Sequence, residues 1–147
     1  MGSIWNNHYF WIPLTTWFLV QSIKVLTDLI VYKKFDFKRF WGSGGMPSSH
    51  SATVTSLATV AGLARGFDSL EFAMCVAFAA ITMYDAAGVR RACGKQARIL
   101  NQIMESKGNV NVQEKLIELL GHTPIEVFVG AIVGVLIALM LYSVWAI

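Results

Sequence analysis

The sequence predicts an all-α integral-membrane helical bundle of about four transmembrane helices, with surface helices between the third and the fourth. Three observations carry that expectation. Hydrophobic residues make up 55% of the chain, and the mean hydropathy is +0.54. Charged residues account for only 14%, against about 25% in soluble domains. The apolar residues gather into four segments of spanning or near-spanning length, with Gly, Ala, Ser and Thr interspersed, as where helices pack closely in lipid. The 147 residues suffice for one domain, so residues 1–147 are read as a single membrane-embedded unit.

The first segment runs from about Tyr9 to Tyr32 and carries Gln21, Lys24 and Asp28. Their spacing of three and four puts them on one side of a helix. Ionisable groups within a span usually face a bundle interior or a water-filled cavity. A lysine about two turns inside needs a partner, and Asp28 at i+4 offers a purely structural ion pair beside the functional alternative. The basic stretch from Lys33 to Arg39 reads as a lipid-facing loop. The second segment, from about Ser49 to Ala64, is short, so it leans on its neighbours or starts inside a re-entrant loop. Arg65-Gly66-Phe67-Asp68-Ser69 is a tight turn into the third segment, from about Leu70 to Ala87. From Gly94 to Gly121 the chain is polar, with Ile99, Ile103, Leu116, Leu119 and Leu120 at helical spacing. It predicts one or two surface helices broken near Gly108-Asn109. The fourth segment runs from about Pro124 to Ile147. Its Gly130-x-x-x-Gly134 pair suits close packing, either within the chain or in a homodimer. Trp5, Tyr9, Trp11, Trp41 and Trp145 sit at segment ends as interfacial anchors. Cys75 and Cys93 form no metal or redox motif and are expected as free thiols.

Orientation follows from the basic residues. Lys33, Lys34, Lys38 and Arg39 outweigh Asp36 between segments one and two. Arg90, Arg91, Lys95, Arg98, Lys107 and Lys115 outweigh Glu105, Glu114 and Glu118 between segments three and four. Four spans place those two loops on one side, and the positive-inside rule makes that side cytoplasmic. His50, Asp85, Arg90, Arg91, His122 and Glu126 then meet Lys24 in one cytoplasmic-side pocket.

Two short motifs carry the chemistry. Gly44-Gly45-Met46-Pro47-Ser48-Ser49-His50 sets glycines and a proline before a helix N-terminus, where backbone N–H groups and the helix dipole favour phosphate. The hydroxyls of Ser48 and Ser49 add donors; the plainer alternative is a glycine-rich turn with a serine N-cap. In His122-Thr123-Pro124-Ile125-Glu126, Thr123, Pro124 and Glu126 make a capping box with proline at the first helical position. Glu126 also lies close enough to His122 to orient its imidazole and stabilise the charged form, so it can cap, take part in catalysis, or both. Arg90 and Arg91 suit bidentate phosphate binding or anchoring at lipid head groups, and the pattern leaves open which does which.

At these residues the chain resembles the divergent branch of the type 2 phosphatidic acid phosphatase family, related to vanadium-dependent haloperoxidases. The resemblance runs through Gln21-x-x-Lys24, Gly44 to Ala52, Met83-Tyr84-Asp85-Ala86-x-Gly88-Val89-Arg90-Arg91, Gln96-Ala97 with Leu100-Asn101, and Leu120-Gly121-His122-x-Pro124-x-Glu126-Val127. It implies a phosphohistidine mechanism without metal. Carried over, His122 is the nucleophile, His50 the general acid and Glu126 the orienting carboxylate. Lys24 and Arg91 or Arg90 bind phosphate, with Asp85 and Asp28 in support. The parent enzymes have an Arg-Pro after the lysine that is missing here, with Arg39 a candidate replacement. Their second arginine lies close before the nucleophile, whereas Arg91 lies far upstream of His122.

The expectation is therefore a membrane phosphatase acting on lipid or prenyl phosphate esters. Its partners are that substrate and membrane lipids, with no nucleic acid. No cofactor is expected, and vanadate enters only as a phosphate mimic, which leaves a vanadate peroxidase as a minor reading. The competing class is a non-catalytic membrane protein that binds anionic lipid phosphate in the same pocket.

Overall fold

A computed structural model describes residues 4–33, 45–106, 115–118 and 120–145, with the side chains of residues 31 and 32 left aside. Arg39, Trp41, Gly44, Leu119 and the expected break at Gly108-Asn109 lie outside the described residues. Among the described residues the fold is all-α. A 3-10 turn at Ile4–Asn6 leads into α1 (His8–Tyr32), followed by α2 (Ser49–Arg65), α3 (Leu70–Ala87), α4 (Val89–Ser106) and α5 (Pro124–Val144).

Local chemistry sets the helix starts. Asn7, Ser48, Ser69 and Thr123 cap α1, α2, α3 and α5, each accepting a backbone N–H of the first turn on its side-chain oxygen. Gly66, at φ +94°, ends α2, and its N–H reaches Gly62 O at 3.0 Å. Gly88 ends α3, and α4 begins at the next residue. Arg90 and Arg91 therefore stand on the first turn of α4.

α2 is the central element, packed against α5, α3 and α1. Its buried face is small throughout (Ser49, Ser51, Ala52, Val54, Ser56, Ala58, Val60, Gly62), which lets its neighbours approach closely. A Cβ at Gly130 would lie 2.5 Å from Ser48 O, and one at Gly134 would collide with the Ala52 carbonyl. The glycine pair thus seats α5 on α2 within one chain. Thr55 Oγ1 donates to Ala131 O at 3.0 Å, and Thr16 Oγ1 lies 3.0 Å from Ser56 Oγ, so hydroxyls tie α2 to both α5 and α1. At the end far from His50, Ile12, Val60 and Ala138 form a small core under Leu141, Tyr142 and Trp145.

Outward, the bundle is apolar. Leu70, Met74, Phe78 and Ile81 line the exposed face of α3, and Phe128, Ile132, Leu136 and Leu139 line that of α5. The run Leu70–Ser106, which holds α3 and α4, and the helix Pro124–Val144 are long and apolar enough to cross a bilayer. Only 11% and 22% of their most apolar stretches are buried within the chain, far from the burial of a soluble core helix. This is the outer surface of an integral-membrane bundle.

α4 runs as one surface helix with Gly94, Ala97 and Asn101 on its buried side. Of the one or two surface helices expected between Gly94 and Gly121, the described residues hold this one, and residues 115–118 and 120 are not helical. Asn101 accounts for the difference. Its Oδ1 accepts from Leu116 N–H at 3.1 Å and its Nδ2 donates to Leu116 O at 2.9 Å, taking the backbone groups that a helix would use. Gly94 completes the seat, because a Cβ there would meet Glu118 O at 2.6 Å and Leu120 O at 2.7 Å. Cys75 and Cys93 are free, as expected.

Candidate active site

The starts of α2 and α5 and the junction of α3 with α4 meet at one end of the bundle. Two backbone hydrogen bonds fix that meeting. Ser48 N–H donates to Glu126 O at 3.2 Å, and His122 N–H donates to Ala86 O at 3.0 Å. They bring the rings of His50 and His122 to 6.2 Å between centroids, inclined at 63°. Gly121 makes the approach possible. It has φ +92°, and a Cβ would lie 2.7 Å from the Arg90 carbonyl carbon, so only glycine fits there without strain.

His122 is 3% exposed. Its Nδ1 lies 3.3 Å from Glu126 Oε2, which also accepts the Thr123 N–H at 2.9 Å, while Thr123 Oγ1 accepts Glu126 N–H at 3.3 Å. The capping box and the imidazole contact therefore coexist on one carboxylate. An oxygen that accepts from the Thr123 amide also accepts from the ring, which assigns the proton to Nδ1 and leaves a lone pair on Nε2. Nε2 is buried and has no hydrogen-bond partner among the described residues. Burial holds the His122 pKa below the ordinary imidazole value, and the Lys24 and Arg90 charges push the same way, opposed by Glu126. The neutral ring is favoured.

On the α1 side, Lys24 is 4% exposed and donates to Ser49 Oγ at 3.3 Å. Asp28 is half-buried one turn further along α1. His50 is half-buried at the second position of α2. Ser48 acts as the N-cap of α2. Fully buried, its Oγ accepts from Ser51 N–H at 3.3 Å and Ser51 O–H at 3.0 Å.

His122 also lines a cavity of about 390 Å³, together with Arg91, Lys95, Arg98, Glu118 and Glu126 among others. Arg90 Nε pairs with Asp85 Oδ2 at 2.6 Å and its charge acts on His122, while Arg91 lines the cavity. Sequence reasoning passed over Lys95 and Arg98 as loop charges and gave Asn101 no structural role. Glu118 is held by Asn101 Nδ2 at 2.9 Å and Arg98 Nε at 3.3 Å. Those contacts, the Asn101 bond foremost, keep its carboxyl below the usual range. Among the described residues no group of three or more His, Cys, Asp or Glu side chains gathers as a metal site.

The arrangement offers a neutral imidazole with a free lone pair, a second imidazole beside it, and cations on α1 and α4. The chain is 46% identical to a protein of Bacillus subtilis (strain 168) described as the uncharacterized membrane protein YuiD, over 82% of this chain and 85% of that one. No solved structure matches. The model of the divergent PAP2 family matches residues 5–137, which contain every helix start and both histidines of the site, and the chain belongs to that family.

Proposed function

We propose that this protein is a membrane phosphatase that hydrolyses lipid or prenyl phosphate esters through a phosphohistidine at His122. The observation that carries this reading is the unpartnered, buried Nε2 of His122, its Nδ1 held by Glu126 and its ring beside His50. In the first step the Nε2 lone pair attacks phosphorus while the bond from phosphorus to the ester oxygen breaks. The protonated His50 gives its proton to that oxygen, and the alcohol leaves. Glu126 stabilises the charge that develops on the His122 ring. Lys24 and Arg91 stabilise the phosphoryl oxygens. In the second step the now neutral His50 takes a proton from water as that oxygen attacks phosphorus. The P–N bond breaks, its electrons return to Nε2, and inorganic phosphate is released. Asp85 supports the site indirectly, by holding Arg90.

The proposed topology has four spans, α1, α2, α3 and α5, with the site at the cytoplasmic face. The support is geometric. Lys24 lies against Ser49 and Thr16 against Ser56, so α1 and α2 are antiparallel, and the site falls at the end that carries Arg90, Arg91, Lys95 and Arg98. Arg65 at the other end is paired with Glu71 at 3.1 Å. That asymmetry matches the positive-inside pattern.

The direct test is phosphate release by purified protein in detergent, wild type beside His122→Ala, across phosphatidic acid, phosphatidylglycerol phosphate and prenyl diphosphates. Release that disappears in the variant supports the enzyme. Binding of these lipids by both proteins with no release would favour a lipid-phosphate-binding protein.

A further inference from the structure

Arg91, Lys95 and Arg98 are spaced by four and three, so they form a ladder along one face of α4. All three line the cavity that His122 also lines. Resting on the phosphatase reading, we infer that this ladder binds a second phosphoryl group next to the scissile one, and so selects diphosphate-type headgroups over simple monoesters.

Size and charge argue for it. At about 30 Å³ per water, 390 Å³ holds about a dozen waters. A single phosphate, with five heavy atoms, displaces only a few of them. Arg91 is the rung nearest His122 in sequence packing, since Gly121 lies directly on the Arg90–Arg91 backbone. Lys95 stands about 6 Å further along the helix axis, at about 1.5 Å per residue, where a group attached to the scissile phosphate would reach. Among the described residues no carboxylate pairs with Arg91 or Lys95. The two carboxylates that line the cavity are already occupied, Glu126 by Thr123 and His122 and Glu118 by Asn101 and Arg98. Arg98 is therefore a held third rung, and the unengaged charge in the cavity is positive. With Arg91 on the scissile phosphoryl group, an added negative group meets Lys95 there, which no carboxylate of the described residues engages.

The test pairs a turnover arm with a binding arm on the full chain in detergent. In the first, phosphate release is compared for a prenyl diphosphate and the prenyl monophosphate of equal chain length, and for phosphatidylglycerol phosphate and phosphatidic acid. The first pair tests a diphosphate, and the second a phosphomonoester whose other phosphate is a diester. The wild type is expected to favour the doubly phosphorylated member of at least one pair. Lys95→Gln is expected to cut that preference, the ratio of kcat/KM values, about ten-fold, the scale of one charge-assisted hydrogen bond. Lys115→Gln removes a cation that pairs with Glu105 away from the cavity, and it should leave the ratio in place. In the second arm, inorganic diphosphate and inorganic phosphate are titrated calorimetrically into His122→Ala protein with and without Lys95→Gln. Diphosphate is expected to bind more tightly, and Lys95→Gln to erase the difference. Preference in binding with no turnover of any substrate by the wild type would overturn the phosphatase reading and leave the ladder standing. Turnover with no preference in either arm, or a Lys95→Gln ratio equal to wild type, would overturn the ladder.

Discussion

Glu126 holds two positions at once, and two substitutions separate them. Its Oε2 accepts the Thr123 amide at 2.9 Å, a capping contact, and His122 Nδ1 at 3.3 Å, the contact on which the proposed catalysis depends. Glu126→Gln keeps an oxygen of the same shape at the same place and removes the charge. At 3.3 Å and an effective dielectric of about 20, opposite unit charges attract by about 5 kcal/mol. That is an upper bound, because the glutamine oxygen restores a neutral hydrogen bond and solvent reaches the partly exposed carboxylate. The difference between a charged and a neutral hydrogen bond, about 1.5 kcal/mol and up to about 3 with the long-range part, is the net loss expected where charge develops on the ring. It corresponds to a ten- to hundred-fold fall in kcat. The cap survives, so the thermal midpoint should scarcely move. Glu126→Ala removes both contacts and should lose the same catalysis together with about 1 kcal/mol of stability. The assay is phosphate release beside thermal unfolding in the same detergent. Full kcat in Glu126→Gln, or equal destabilisation by both variants, would refute the double role.

Three further outcomes follow from the same geometry. Gly134→Ala sets a methyl against the Ala52 carbonyl and should cost about 1–3 kcal/mol; an unchanged thermal midpoint in detergent would contradict the close α2–α5 seat. His122 must be neutral to attack, and its pKa lies below the ordinary 6.5. The rate should therefore fall as pH drops through that lowered value, with the folding stability contributed by the neutral ring present above about 6.5 and lost below it. A pH–rate profile whose acid limb lies above 6.5 would contradict the buried, Lys24-facing position. Arg91→Ala should raise KM at least ten-fold, more than Arg90→Ala does, because Arg91 lines the cavity and Arg90 is engaged by Asp85; steady-state kinetics showing the reverse order would exchange their roles.

How far the sequence revealed the structure depended on the range of each interaction. Ser48, Ser69 and Thr123 act within one turn, so the starts of α2, α3 and α5 were readable to within a residue. The meeting of His50 with His122 was readable too, because antiparallel apolar segments and one-sided basic charge leave few other arrangements. What escaped depends on contacts distant in sequence. Leu116 carries a helical pattern, but the Asn101 side chain takes its N–H and C=O. Gly130 and Gly134 announce close packing without naming the partner, which proves to be the backbone of Ser48 and Ala52. Arg90 and Arg91 are neighbours about 100° apart on a helix, so their separate fates rest on α4 beginning afresh after Gly88. Ser48 offered the same local signal as cap and as phosphate donor, and its burial, with Ser51 on its oxygen, shows the cap.

The central claim is a covalent bond between phosphorus and His122 Nε2, and its most direct test is rapid quenching of a single turnover with substrate labelled at phosphorus. The account predicts label that is stable in base, labile in acid, mapped to His122 and absent from His122→Ala. Label on a serine, or turnover by His122→Ala at the wild-type rate, would contradict it.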